Sequence, residues 1–249
     1  MIADFIPRVI PVLLLKERGL YKGKAFKNHR YIGDPINIVK IFNDKEVDEL
    51  VFFDTEASNN SIIDYDFIRE IAGECFMPFS YGGGITSLEH IYRLTKIGVE
   101  KVIINSHGYL NPGFLSEAVN EFGSSTIVVC VDYKTDFFGR QRVYINSGNT
   151  KTDLTPLEWI EKLNKINVGE IIINSINKEG SRSGLDYEMY EKIKKISKSP
   201  IILSGGCKDF EEINSALDQK NIMALSAGTC FVFQGKHDAV LISYPKLNY

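Results

Sequence analysis

Short apolar runs rich in β-branched residues alternate along the chain with stretches whose apolar residues recur every three or four positions. The first kind predicts buried strands in RVIPVLLL (8–15), ELVFFD (49–54), MPFSYG (77–82), KVIIN (101–105), TIVVCVD (126–132), EIIINS (170–175), PIILSG (200–205) and IMALSA (222–227). The second kind predicts amphipathic helices between them, in DPINIVKIFNDKE, DYDFIREIAGEC, SLEHIYRLTKIG, NPGFLSEAVNEFG, TPLEWIEKLNKIN, DYEMYEKIKKIS and DFEEINSALDQK. Each opens on Asp, Ser, Asn or Thr, whose side chains can accept from the free N–H groups of a helix start. Strand–helix alternation is the pattern of a parallel α/β fold. The polar stretch KTDFFGRQRVYINSGNTKTD (134–153) reads as a hairpin or mobile loop rather than a linker. Composition does not shift abruptly anywhere, so residues 1–249 are expected to form a single domain.

An internal repeat narrows the architecture. PFSYGGGITSLEHI (78–91) lies over PIILSGGCKDFEEI (200–213) without a gap, DELVFFDTEAS (48–58) over GEIIINSINKE (169–179), and RVIPVLLLK (8–16) over TIVVCVDYK (126–134). Two duplicated halves of four strands each predict a (β/α)8 TIM barrel, since a closed parallel sheet has no edge strands. An open doubly wound sheet is the alternative.

Barrel chemistry lies at the C-terminal ends of the strands. There the chain carries two glycine-rich loops running into helices, YGGGITS with Gly83 and Gly84, and SGGCKD with Gly205 and Gly206. Glycine lets backbone N–H groups approach an anion closely. Asn105 and Ser106 beside the first loop, and Gly228 and Thr229 beside the second, add an amide, hydroxyls and a further glycine, with Gly180 counted among them. Two such sets imply two phosphates on one ligand, a phosphorylated small molecule or a nucleotide-linked one. The competing reading is that the glycines only make tight turns.

The balance of 29 basic against 32 acidic residues gives no reason to expect nucleic acid or an anionic membrane as partner. No apolar run has transmembrane length, and MIADFIPR lacks the ordered regions of a secretory signal, so a soluble cytoplasmic protein is expected. Cys75, Cys130, Cys207 and Cys230 read as free, buried thiols. His29, His90, His107 and His237 share no metal-ligand spacing and read as solvated or structural, so no metal and no cofactor are expected. Trp159 reads as a helix packing residue, while Phe137 and Phe138 would either cover a ligand or pack their own loop.

Across almost the whole chain, IPVLLLK, LYKG, GDP, DELVFFD, YGGGI, GVEKVIINS, EFGSSTIVVCVD, PLEWIEKLN, GEIIINSINKEG, SGG and FVFQGK resemble the HisF family, the cyclase subunits of imidazole glycerol phosphate synthase. The resemblance implies a barrel that binds a ribonucleotide carrying two phosphates. It also implies a heterodimer with a HisH-like glutaminase subunit docked on the opposite face, which supplies ammonia. The family's two catalytic aspartates map onto Leu14 and Asp132, and its loop lysine onto Lys22. Its ammonia gate maps onto Arg8, Glu49, Lys101 and Glu170, and an acidic residue of the partner interface onto Glu100. The chain departs from the pattern at Leu14, which cannot transfer a proton. The internal repeat points to the same position, because Leu14 is the residue superposed on Asp132. Asn174, Asn177 and Ser125 depart as well, and the C-terminal FVFQGKHDAVLISYP is most like the WbuZ-like glycosyl-amidation branch. That branch implies delivery of ammonia for acetamidino sugars of surface polysaccharide, with a separate sugar amidotransferase as a further partner. The two other readings are a genuine cyclase with a surrogate acid, which would be a lyase subunit of histidine biosynthesis, and a non-catalytic binding scaffold.

Overall fold

The computed structural model describes residues 6–220, 222–235 and 237–247. Met1–Phe5, on which part of the leader reading rests, and Lys236 of FVFQGK lie outside them. Eight strands form the barrel: β1 (Arg8–Lys16), β2 (Leu50–Asp54), β3 (Phe79–Gly82), β4 (Lys101–Ile104), β5 (Ile127–Thr135), β6 (Glu170–Ser175), β7 (Ile201–Ser204) and β8 (Ala224–Ala227). Each pairs in parallel with its sequence neighbour, and β8 returns to β1 with Arg8 beside Ala224, so the sheet closes as a (β/α)8 barrel. The open-sheet alternative is excluded by that closure.

Among the described residues, seven helices wrap the barrel: α1 (Pro35–Asp44), α2 (Tyr65–Glu74), α3 (Leu88–Lys96), α4 (Pro112–Phe122), α5 (Pro156–Ile166), α6 (Tyr187–Lys194) and α7 (Phe210–Lys220). Their starts follow from side-chain chemistry. Asp34, Asp64, Ser87 and Asp186 accept from the N–H three residues on, and Thr155 and Glu158 form a reciprocal capping box. Each such cap is worth about 1 kcal/mol. Between barrel and helices lies the larger apolar core, where Val9, Leu13 and Leu15 of β1 pack with residues such as Phe42, Ile68, Leu94 and Leu163. The alternate positions of the strands point inward, and Ile10, Val12, Val51, Ile103, Val128, Cys130, Ile172, Ile202 and Ala224 fill the barrel's own interior.

β1 and β5, the repeat-related strands, both run past the rim and turn back as antiparallel hairpins. β1 pairs with Gly19–Lys24, which pairs in turn with Lys27–Gly33. β5 pairs with Gln141–Ile145, which pairs with Thr150–Lys151. The second hairpin is the one expected over 134–153. The first has no counterpart among the expected elements, because KGKAFKNHR alternates too weakly between apolar and polar to signal a strand. Three short helical turns, Ala57–Asn60, Ser106–Leu110 and Thr229–Val232, sit on the C-terminal rim. Among the described residues no helix is long and apolar enough to cross a membrane.

Candidate functional site

At the C-terminal mouth of the barrel the two hairpins and the rim loops enclose a cavity of about 470 Å³. Asp132 stands in its wall, buried and held by three donors. Asn105 Nδ2 donates to Oδ2 at 2.8 Å, Asn174 Nδ2 to Oδ1 at 2.7 Å, and the Cys130 thiol reaches Oδ1 at 3.7 Å. Burial pushes the carboxyl up to about 6, with the nearby charge of Glu179 adding to the rise and the hydrogen bonds opposing it. A carboxyl poised there exchanges a proton near neutral pH, which suits general acid–base work.

Leu14 lines the same cavity, next to Phe53 of β2 in register and opposite Tyr21 of the first hairpin. The mouth therefore holds one repeat-related carboxylate and, at its counterpart, an alkyl group. Glu179 is the other carboxylate of the wall. Lys134, two residues beyond Asp132 and so on the same face of the strand, donates to the Gly148 carbonyl at 2.6 Å and lies 4.4 Å from the centre of the Tyr144 ring. Its ammonium is shifted towards the neutral form, by burial first and by the charge of Lys27 second. Lys27, His29 and His107 also line the cavity. Sequence reasoning passed over Lys134 and Glu179 and read His29 and His107 as solvated or structural, whereas both line the cavity; only Lys134 carried a signal, its even spacing from Asp132.

The first glycine-rich loop opens on this cavity. Gly84 has φ +67°, and a Cβ there would lie 2.6 Å from the Ala57 carbonyl oxygen, so the turn needs glycine. His90 braces the loop, with Nδ1 3.1 Å from the Gly84 carbonyl. Ser106 also lines the cavity, but its hydroxyl accepts from the N–H of Asn146 at 2.9 Å and so ties the second hairpin to the rim. Asn105, expected to hold a phosphate, instead directs its amide to Asp132.

The second set is arranged differently. Gly180, Gly206, Gly228 and Thr229 border a separate space of only about 10 Å³, while Gly205 lines neither space and packs against Asn174 and Ser175. Lys22, matched by resemblance to a loop lysine, stands instead in a strand, Gly19–Lys24. It is 2% exposed and pairs with Glu179 at 2.7 Å.

At the opposite end, Arg8, Glu49, Lys101 and Glu170 come together as a ring. Arg8 bonds Glu49 at 2.7 Å and also Glu170, and Lys101 bonds both carboxylates at 3.0 Å. Ser80 adds a hydrogen bond to Glu49 at 2.7 Å. Two cations and two anions satisfy one another, which is what makes their partial burial tolerable. Glu100 stands exposed just before β4 on the same face, its N–H bonded to the Phe79 carbonyl. Asn177 pins the end of β5, accepting from the Thr135 N–H at 2.9 Å.

Fold and mouth together define a duplicated (β/α)8 barrel with a poised carboxyl above an apolar interior and a closed ring of charges at the far end. The family model for histidine biosynthesis proteins matches residues 8–238, and the chain belongs to that family. It is 43% identical over 242 residues to a Pseudomonas aeruginosa protein provisionally named imidazole glycerol phosphate synthase subunit hisF2, covering 97% of this chain and 96% of the relative. It is 41% identical over 241 residues to a Leptospira interrogans protein provisionally named subunit HisF of the same synthase, covering 96% and 95%. It is 34% identical over 227 residues to the imidazole glycerol phosphate synthase subunit HisF of Bacillus cereus, covering 90% and 89%. The chain is therefore a HisF-like barrel subunit.

Proposed function

We propose that this chain accepts ammonia from a HisH-like glutaminase subunit at its N-terminal face and conducts it through the barrel to an acceptor at the C-terminal mouth. The acceptor reaction is glycosyl amidation, as in acetamidino sugars of surface polysaccharide, completed with a separate sugar amidotransferase. The observation that carries this reading is the contrast between the two ends. The ring of Arg8, Glu49, Lys101 and Glu170 is complete, whereas Leu14 removes one of the two repeat-related carboxylates from the mouth. Losing one member of an acid–base pair costs on the order of 10²–10⁴-fold in rate. Retaining the ring without the pair fits delivery better than ring closure.

A second reading, a working imidazole glycerol phosphate cyclase, draws on Asp132, whose carboxyl titrates near neutrality, and on Glu179, which shares the cavity wall. The deciding experiment is ammonia-dependent cyclisation of the synthase's ribonucleotide substrate by the purified protein, with Leu14→Asp beside it. Delivery predicts no wild-type turnover from a protein that still binds a glutaminase. Robust wild-type turnover would establish the cyclase instead.

A further inference from the structure

The two glycine-rich ends differ in what sits in them. The first, at Gly83 and Gly84, faces the 470 Å³ cavity. Into the second reaches Lys22 from the first hairpin, so close to Gly228 that a Cβ there would lie 2.3 Å from Nζ. Glu179 meets the same ammonium at 2.7 Å. The hairpin is stitched to this point by its backbone as well. The Ala25 N–H donates to the Glu179 carbonyl at 2.8 Å, and a Cβ on Gly180 would lie 2.3 Å from the Gly23 carbonyl oxygen. The space remaining among Glu179, Gly180, Gly206, Gly228 and Thr229 is about 10 Å³. That is about what one water needs, and a phosphate does not fit.

A buried ammonium requires an anion, because an unpaired charge out of water is costly. Glu179 meets that requirement from within the chain. We propose that Glu179 is an internal stand-in for the second anionic group of the ligand: a phosphate-type group enters the second glycine-rich seat only by replacing the Glu179 carboxylate beside Lys22. The proposal rests on the reading of the two loops as phosphate seats and adds what controls the second one. Glu179 then determines specificity. With its carboxylate on Lys22 the site takes a single phosphate, at Gly83 and Gly84. A ligand with two phosphates must break the ion pair, and breaking it frees one of the bonds that hold the hairpin over the mouth.

The test uses inorganic phosphate and the full chain, wild type and Glu179→Ala, which removes both the carboxylate and its volume, with crystal structures in phosphate and calorimetric titration. Thermal melting in phosphate-free buffer shows that the variant is folded. The expected result is one phosphate on the wild type, at Gly83 and Gly84. Glu179→Ala should add a second against Lys22 and Gly228, bound at least about tenfold more tightly than any second ion on the wild type at the same phosphate concentrations. Lys22→Met in the Glu179→Ala background should abolish that second ion. Two phosphates on the wild type, or one on the folded variant, would overturn the proposal while leaving the first seat standing. No phosphate on either protein would overturn the phosphate-seat reading itself, and the proposal with it.

Discussion

The side-chain amide of Asn174 donates to Oδ1 of Asp132 across 2.7 Å, from the position beside it in the register of β6 on β5. With Asn105 on the other oxygen, the carboxylate of Asp132 is held in one orientation and its charged form is favoured against burial. Truncation of Asn174 to alanine removes one of these donors. The carboxyl is expected to move above about 6, by roughly one unit, in a carbon-13 NMR titration of labelled aspartate. An unchanged or lower titration point would show that Asn174 does not set the charge state of Asp132.

Stability carries the same signature. The Asp132 carboxyl is raised in the folded protein, to about 6 from an ordinary 3.8, so the unfolded chain gives up this proton first as pH rises. The contribution of the protonated group is fully present below about pH 4 and is lost as pH climbs through about 6, roughly 3 kcal/mol for a shift of that size. Asp132→Asn should remove this slope. Urea melts are expected to place the variant above the wild type at pH 8 and close to it at pH 4; parallel curves at both values would contradict the assignment.

The ring at the far end should separate transfer from folding. Lys101→Met leaves Glu49 and Glu170 sharing Arg8 alone, and a loss of about 1–3 kcal/mol in urea denaturation is expected, less than for a fully buried pair. Arg8→Ala and Lys101→Met are also expected to change glutamine-driven transfer more than glutaminase affinity. Unaltered transfer by folded variants would count against a passage at this point.

The phosphate seat proposed at Gly83 and Gly84 is testable by one methyl group. Gly84→Ala forces a side chain into φ +67° and against the Ala57 carbonyl. A cost of about 1–3 kcal/mol and loss of phosphate at this loop are expected, measured by thermal melting and by titration with inorganic phosphate. Retained binding would mean that the glycines serve only the turn.

Much of the barrel was legible because its strands are nearly continuous apolar runs, and those buried on both faces must be so. The expected strand ends hold within two residues, except at β5, which continues to Thr135 as the arm of a hairpin. The carboxyl of Asp132 was legible for a different reason: an acid at the end of an apolar run has few structural excuses. What escaped the sequence was pairing. Nothing in LYKGKAFKNHR marks Lys22 as buried, and nothing in NKEG says that its glutamate will meet a lysine 157 positions earlier. Asn105 looked like a ligand for phosphate because its neighbours in sequence are a strand end and a serine. Only the closed sheet shows that its nearest acceptor is on the next strand.

Ile10, Val12, Val51, Ile103, Val128, Ile172, Ile202 and Ala224 form an apolar collar between ring and mouth, with no charged side chain among them. An ammonium ion entering it would surrender its hydration with no carboxylate among those side chains to replace it, a cost of several kcal/mol at the least. Under the delivery reading proposed above, nitrogen would cross the barrel uncharged, leaving its proton at the ring end and reaching the mouth with its lone pair free. On that reading the barrel would deliver a nucleophile rather than an ion, the chemistry of its two ends kept apart by a layer of apolar side chains.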